Sequence, residues 1–310
     1  MQYEHGVRPA FIVCLAAYNG IKWLPEQLAS ICTQIDVDIA IYISVDKSSD
    51  GTEDWVDMVA ATDMRVHVLA HGMLFGGAAR NFFRLIRDVD FSKCAYVCYA
   101  DQDDIWEPDK LSRAHMEMQK SGCDAYSSNV TAFWPDGRKL LVEKSQPQVR
   151  WDFLFEAAGP GCTYVLKNNV ACALQATVIH HWNELQQVGL HDWFSYAFAR
   201  ANGYKWLIDP MPTMLYRQHD ANQYGVNAGW RAIGHRAAKV LSGWGLAQSA
   251  LIAGLVGLGD HPFTVRWKCG QRLGLLTLAL HAGLCRRRLR DKFIFCLSCM
   301  VLSLIRGGRS

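Results

Sequence analysis

What most constrains this chain is a short, wholly apolar run, Ala10 to Ala17 (AFIVCLAA), that stops at Tyr18-Asn19-Gly20. Apolar residues without polar alternation over so few positions mark a strand buried on both faces. Ile21, Leu24, Leu28 and Ile31 then recur at helical spacing. Ile39 to Val45 is a second β-rich run, closed by Asp46-Lys47-Ser48-Ser49-Asp50-Gly51-Thr52, a turn-rich stretch suited to cap the next helix. Val66 to Leu69 reads as a third strand. Gly76-Gly77 opens a helix carrying Phe82, Phe83, Leu85 and Ile86, and Ala95 to Ala100 reads as a fourth strand. Strands alternating with helices imply an α/β fold, a parallel sheet joined by right-handed crossovers. Ligands of such sheets bind at the carboxyl ends of the strands. Tyr18-Asn19, Asp46 and the acids from Asp101 all fall at such ends.

The remaining sequence extends this frame. Residues 134–151 are polar and irregular. Gly159-Pro160-Gly161 precedes a strand-like Cys162 to Leu166 and a helix from about Asn169 to His180. Another helix starts at His191-Asp192-Trp193. Ile208 to Tyr216 reads as one Pro-bearing edge strand, followed by Arg217-Gln218-His219. The length of 310 residues suits one large domain with an appendage, or two domains. Net charge is +3, so nothing global points to nucleic acid, and none is expected as a partner. The eleven cysteines are scattered and odd in number, without zinc-ribbon spacing. Cys296 and Cys299 lie in an apolar run and read as core or interface thiols. Together they suggest a reducing cytosol and no disulfide framework. The opening MQYEHGVRPA lacks the pattern of a signal peptide.

Asp101-Gln102-Asp103-Asp104 is the densest chemical signal. Like charges so close repel, and a helix N-cap explains one or two of them. Three acids on the C-terminal edge of a strand suggest a hard divalent cation, Mg²⁺ or Mn²⁺, held by carboxylate oxygens. A cation that keeps water positions can also hold two phosphates.

Ala16-Ala17-Tyr18-Asn19-Gly20, Asp46-x-Ser48-Ser49-Asp50-Gly51-Thr52, Asn81 after a Gly-rich turn, and Asp101-Gln102-Asp103-Asp104-Ile105-Trp106 occur in that order. Over roughly residues 10–225 the chain resembles a family 2 glycosyltransferase with the GT-A fold. With Tyr216-Arg217-Gln218-His219 downstream, it is most similar to the rhamnosyltransferase-like branch. The resemblance implies that Ala17, Tyr18, Asn19 and Gln102 belong to the nucleotide-sugar site. Asp46 would accept from a pyrimidine N3–H. Arg80 and Asn81 would lie near base, ribose or sugar, and Asp101 would contact ribose or sugar hydroxyls. Asp103 would carry the metal, completed by His219. Asp104 would bind it through water, or cap the next helix. The family often has two acids at the second strand end, whereas here Val45 takes the first place and Lys47 follows Asp46.

The family usually carries Glu-Asp where this chain has His191-Asp192, and the second acid is its general base. That role passes to Asp192, with a helix N-cap as the alternative; the role of His191 stays open. An acceptor hydroxyl must lose a proton as it attacks, and burial beside Trp193 would suit a carboxylate to take it. Arg217 would offset charge on the diphosphate, or pair with an acid. Gly161 sits in a loop near acceptor or sugar, or in a plain turn. Trp106 and Trp193 would stack on sugar faces, or lie in the core.

From Trp230 onward apolar stretches alternate with Arg and Lys, including Arg286-Arg287-Arg288-Leu289-Arg290. The longest apolar run, Phe293 to Ile305, is shorter than the ~20 residues a spanning helix needs. The expected division is therefore a catalytic domain over 1–229, with its nucleotide half at about 10–110 and its acceptor half at about 111–229. A basic amphipathic helical tail over 230–310 would follow. The tail either packs on the catalytic domain or docks on an anionic membrane surface. The resemblance implies an inverting, metal-dependent transferase, peripheral on the cytoplasmic face of the plasma membrane. Its donor would be a dTDP- or UDP-sugar, dTDP-L-rhamnose first, and its acceptor a lipid-linked glycan of a bacterial surface polysaccharide. Two other readings stand beside it. A nucleotidyltransferase would want a Gly-rich phosphate loop where Tyr18-Asn19-Gly20 stands, and an inactive sugar-nucleotide or lipid-binding protein would not need its acids at 101, 103 and 192.

Overall fold

Strand β1 (Ala10–Ala17) lies inside a seven-stranded sheet and is buried from Phe11 onward. Parallel β2 (Asp38–Val45) flanks it on one side and parallel β4 (Tyr96–Asp101) on the other. Beyond β2 comes β3 (Val66–Val68). Beyond β4 come β9 (Val165–Lys167), β6 (Ala125–Ser128) and β10 (Trp206–Asp209). Only β9 runs against its neighbours, so the sheet is mostly parallel, as the alternating sequence predicts. Helices α1 (Leu24–Cys32), α2 (Thr52–Thr62) and α3 (Ala78–Asp88) connect the first four strands. Helix α3 turns Phe82, Phe83, Leu85 and Ile86 inward, the stripe that its sequence spacing required. Register pairs Ala17 with Val45 and Ala16 with Asp101. Tyr18, Asp46 and the acidic cluster thus share one sheet edge.

The structure is a computed structural model that describes residues 8–219 and 242–306. It forms two compact units. The first gathers 8–145, 159–192 and 204–219, and it holds the large sheet. The second gathers 146–158, 193–203 and 242–306. The sequence-based boundary near 229 cuts the chain once, whereas the units interleave along it.

The first unit also holds a small sheet, ordered β5 (Ile105–Trp106), β11 (Met214–Arg217), β7 (Val130–Phe133) and β8 (Lys139–Val142). The single edge strand expected over Ile208 to Tyr216 is in fact two. Pro210 and Pro212 interrupt the ladder between β10 and β11, and the two halves join different sheets. The strand expected from Cys162 begins at Val165, because Gly161–Thr163 forms a 3-10 turn. Helix α4 (Lys110–Ser121) starts after Asp109, so Asp104 does not cap it. Helices α5 (Asn168–His180), α6 (Trp182–Leu185) and the start of α7 (His191–Ala201) complete this unit.

The second unit contains the rest of α7 and five tail helices: α8 (Trp244–Leu255), α9 (Pro262–Lys268), α10 (Arg272–Leu280), α11 (Ala282–Cys285) and α12 (Leu289–Arg306). No described helix is long and apolar enough to cross a membrane. The basic stretch 230–241 lies outside the described residues.

Candidate active site

Three loops meet where β1, β2 and β4 end. Tyr18 donates its N–H to Gln102 Oε1 at 2.7 Å and accepts from Gln102 Nε2 at 2.9 Å. One side-chain amide thus satisfies both backbone groups of Tyr18, whose own ring stays 53% exposed. A Cβ on Gly20 would fall 2.3 Å from Gln102 Oε1, so the clamp requires glycine there. Asn19 takes a left-handed φ of 44°, with its N–H on Ser48 Oγ and its Oδ1 accepting from Ser49 N. Thr52 Oγ1 accepts from Gly20 and Ile21, and Asp50 accepts from Ile21, from Thr52 N and from the Thr52 hydroxyl. Burial pushes the Asp50 carboxyl up, but these hydrogen bonds leave it below its ordinary value. The Asp-x-Ser-Ser-Asp-Gly-Thr motif is therefore a brace between the first two loops.

Asp46 is buried and receives the backbone N–H groups of Lys47, Phe75 and Gly76. It anchors the Gly-rich turn before α3, while Oδ2, with a single bond at 2.8 Å, keeps acceptor capacity. Arg80, on the exposed side of α3, donates to Gln186 O and Phe75 O. Asn81 corrects the sequence expectation. It is 2% exposed, donates to Ala17 O and Ser44 O, and accepts from Ser44 Oγ. Both its N–H groups are spent on strand ends, so its amide braces the ends of β1 and β2 from within.

The acids come together as the sequence implied, with one unexpected member. Oxygens of Asp101 and Asp104 and the Cys162 sulfur lie within 4.8 Å of one another. Asp103 Oδ2 sits 2.7 Å from His219 Nε2, and the His219 ring stacks on Trp23 at 4.2 Å. Burial, then Asp103 and Asp192, push the Asp101 carboxyl up to about 7. Burial, then Asp103 and Asp101, raise Asp104 well above the carboxylate range. Asp104 Oδ1 accepts from Arg217 N, while its buried Oδ2 has no hydrogen-bond partner among the described residues. The Cys162 thiol is itself raised, by burial first, then by the charges of Asp104 and Asp101. A thiol held protonated is a poor ligand, so the donors of this cluster are the oxygens of Asp101 and Asp104. That set, with an unsatisfied buried oxygen, fits a hard divalent cation. Asp103 and His219, hydrogen-bonded to each other, would be the residues to hold such a cation on the side of β4.

Arg217 ties the acidic loop to α1. Its Nε donates to Asp103 O and its Nη2 to Glu26 Oε2, so the guanidinium pairs with an acid and braces the acidic loop. Sequence reasoning overlooked Lys110. Its Nζ is buried, lies 3.7 Å from the Trp106 ring centroid and has no hydrogen-bond partner among the described residues. Burial lowers its pKa, against the pull of Cys98, Cys162 and Asp104. A buried amine therefore stands within electrostatic reach of Asp104 and Cys162. The available signal was a Lys four residues after Trp106 and directly before Leu111, an apolar pair at helical reach.

Trp106 is 2% exposed and Trp193 5%, the latter donating Nε1–H to Phe153 O in the second unit. Neither offers a face for sugar stacking; both are core. His191 stacks on Phe82 at 3.8 Å, and burial depresses its pKa to about 3, so it stays neutral. A Cβ on Gly161 would meet His191 Nε2 at 2.7 Å and Asp192 Cβ at 3.1 Å. Glycine thus seats the 159–163 loop against the start of α7, where Asp192 adds its charge to that felt by Asp101. The arrangement gathers buried acids, a loop cradle beside them, and a further carboxylate.

Residues 12–157 match the family model described as glycosyl transferase family 2. The chain is 42% identical over 291 residues to the dTDP-rhamnosyl transferase RfbG of Shigella flexneri, covering 94% of this chain and 100% of that one. The chain belongs to glycosyltransferase family 2. Among solved structures, S. aureus TarS 1-349 in complex with UDP-GlcNAc superposes with a TM-score of 0.56 at 12% identity, covering 96% of this transferase and 92% of that chain. Mannosyltransferase PcManGT from Pyrobaculum calidifontis, in complex with GDP-Man and Mn²⁺, gives 0.51 at 14% identity, covering 97% and 87%. At such identities the likeness is one of fold, and it is the GT-A fold that the motifs implied. The transferase reading thus prevails over a nucleotidyltransferase.

Proposed function

We propose that this glycosyltransferase moves L-rhamnose from dTDP-L-rhamnose to a hydroxyl of a lipid-linked glycan, with inversion and with Mg²⁺ or Mn²⁺. The product would be a surface polysaccharide of the O-antigen kind, made at the inner face of the plasma membrane. The observation that carries the donor is the 42% identity to a dTDP-rhamnosyl transferase along its whole length. The cation rests on the oxygen-rich cluster and its unsatisfied Asp104 oxygen.

In this reading the exposed Tyr18 ring lies along the nucleotide, and Asp46 uses its remaining lone pair for the thymine N3–H. Asp103 and His219 hold the cation, with Asp104 behind them. When bound, the cation supplies positive charge that offsets the departing diphosphate. Asp101 hydrogen-bonds sugar or ribose hydroxyls. The acceptor oxygen forms its bond to the anomeric carbon as the bond to the diphosphate oxygen breaks on the opposite face. The hydroxyl proton passes to the Asp192 carboxylate. Water-poor surroundings make each fixed charge here count for more than it would in solution.

Asp192→Asn tests the base. Transfer should fall by about 10²-fold or more while dTDP-rhamnose binding is unchanged; full turnover would remove Asp192 from the mechanism. A thermal-shift panel with Mn²⁺ tests the donor. Stabilisation by UDP-GlcNAc but not by dTDP-rhamnose would overturn the rhamnosyl assignment.

A further inference from the structure

Helix α12 wears its apolar side outward. Leu289, Phe293, Leu297, Met300 and Leu304 recur at helical spacing and are 43% to 70% exposed, while Cys299, Leu302 and Ser303 face inward. A helix at the surface of a water-soluble protein normally does the reverse. Helix α10 packs on α12 and leaves Leu273, Leu276 and Leu280 outward as well. Two adjoining helices of one unit therefore share an apolar surface of the kind that marks an interaction site.

A second feature lies at the end of α10. His281 follows Leu280 directly and lines a cavity of about 190 Å³. Trp151 and Phe263 stack in its wall at 4.7 Å, with Arg150 and Arg266 beside them. Leu284, 40% exposed, joins that wall to the apolar surface. Arg266, Lys268, Arg272 and Arg290 are exposed around these helices, and the only acids in 242–306 are Asp260 and Asp291.

We propose that the α10–α12 surface is a docking face for an anionic lipid bilayer, its leucines and Phe293 entering the acyl boundary while the Arg150–Arg266 cavity takes a lipid phosphate. The pairing of apolar ridge and basic, aromatic cavity matches the two parts of a phospholipid. A helix lying in the interface needs only an apolar face and a basic flank, not the length to span. A second copy of the chain fits worse, because a symmetric face-to-face contact would set the same arginines against each other. The proposal deepens the membrane placement given above and rests on that reading for the membrane's location, but its test needs no turnover.

The test is co-sedimentation of the full chain with phosphatidylglycerol/phosphatidylcholine vesicles and with phosphatidylcholine vesicles, at low and high salt. Wild type should bind the anionic vesicles, less tightly at high salt. Phe293→Glu/Leu297→Glu should partition at least about tenfold less, with an unchanged melting temperature. Arg150→Ala/Arg266→Ala should bind more weakly and lose most of the salt dependence. Should the first variant fail to fold, Leu273→Glu/Leu280→Glu tests the same face. Equal partitioning of folded variant and wild type overturns the proposal. So does wild type left in the supernatant, or a dimer that Phe293→Glu/Leu297→Glu dissociates without any vesicle binding. Rhamnosyl transfer to a soluble acceptor, measured in parallel, should be the same in wild type and Phe293→Glu/Leu297→Glu. Loss of docking and failure of the transferase reading are therefore separate results.

Discussion

Asp101 shows what the acidic edge costs the fold. Its carboxyl is raised to about 7 by burial, Asp103 and Asp192, whereas an unfolded aspartate titrates near ~3.9. Between about pH 4 and 7 the folded state keeps a proton that the unfolded state has released. Stability of the metal-free protein should therefore fall as pH climbs through that window, and Asp104 adds the same sign. His191 works the other way, because its pKa near 3 makes the folded state refuse a proton that the unfolded chain takes below about 6.5. Asp101→Asn isolates the first effect. Thermal melts from pH 4 to 8 should show the variant equal to wild type at the acid end and more stable by a few kcal/mol from pH 7 upward, since each tenfold change in proton affinity is worth ~1.4 kcal/mol. A gap that does not change with pH would mean that the Asp101 proton is ordinary. Added Mn²⁺ should then raise the melting temperature of wild type more than that of the variant.

At the scale of elements, the Tyr18–Gln102 clamp joins the ends of β1 and β4, and Gly20 makes room for it. Gln102→Ala removes two hydrogen bonds and should cost about 1–2 kcal/mol. Gly20→Ala should act similarly by displacing the amide. Both should raise the donor KM and leave kcat within a few-fold, since the clamp positions Tyr18 and does no chemistry; a kcat loss with unchanged KM would refute that. The same elements show what a sequence can declare. Two-sided burial writes β1 and most of β4 as continuous apolar runs, and each ends at the sheet edge that carries Tyr18 and the acids, so sheet and acids were legible together. The small sheet was not. Its strands are short and partly exposed, and the β8 stretch Lys139–Val142 carries no alternation that separates it from loop. Asn81 read as a ligand contact for a related reason, whereas Lys110 was overlooked. A polar residue on a buried face reads as a ligand contact until its backbone and charge partners are known.

At the scale of the whole molecule, chain order hides how the second unit holds together. Asp152 is fully buried and accepts from Arg200, Arg287, the Tyr196 hydroxyl and the Phe153 N–H. Arg287 also donates to Ala157 O and, through its backbone, to Glu156. Three stretches far apart in sequence, 146–158, 193–203 and the segment before α12, are joined by this one network. No apolar periodicity announces it, because its parts are single charges whose meaning depends on partners distant along the chain. Burying such charges is costly, and mutual pairing offsets the cost only while every member stays. Arg287→Leu should therefore destabilise by roughly 2–4 kcal/mol, somewhat under the ~3–5 of a fully stranded charge, because Arg200 and Tyr196 still serve Asp152. Asp152→Asn added to Arg287→Leu should recover part of that loss, since the carboxylate left without Arg287 is then neutral. Urea unfolding of the two single variants and the double variant measures the coupling. Strict additivity would show that the contacts are incidental and that the unit is held by its apolar packing alone.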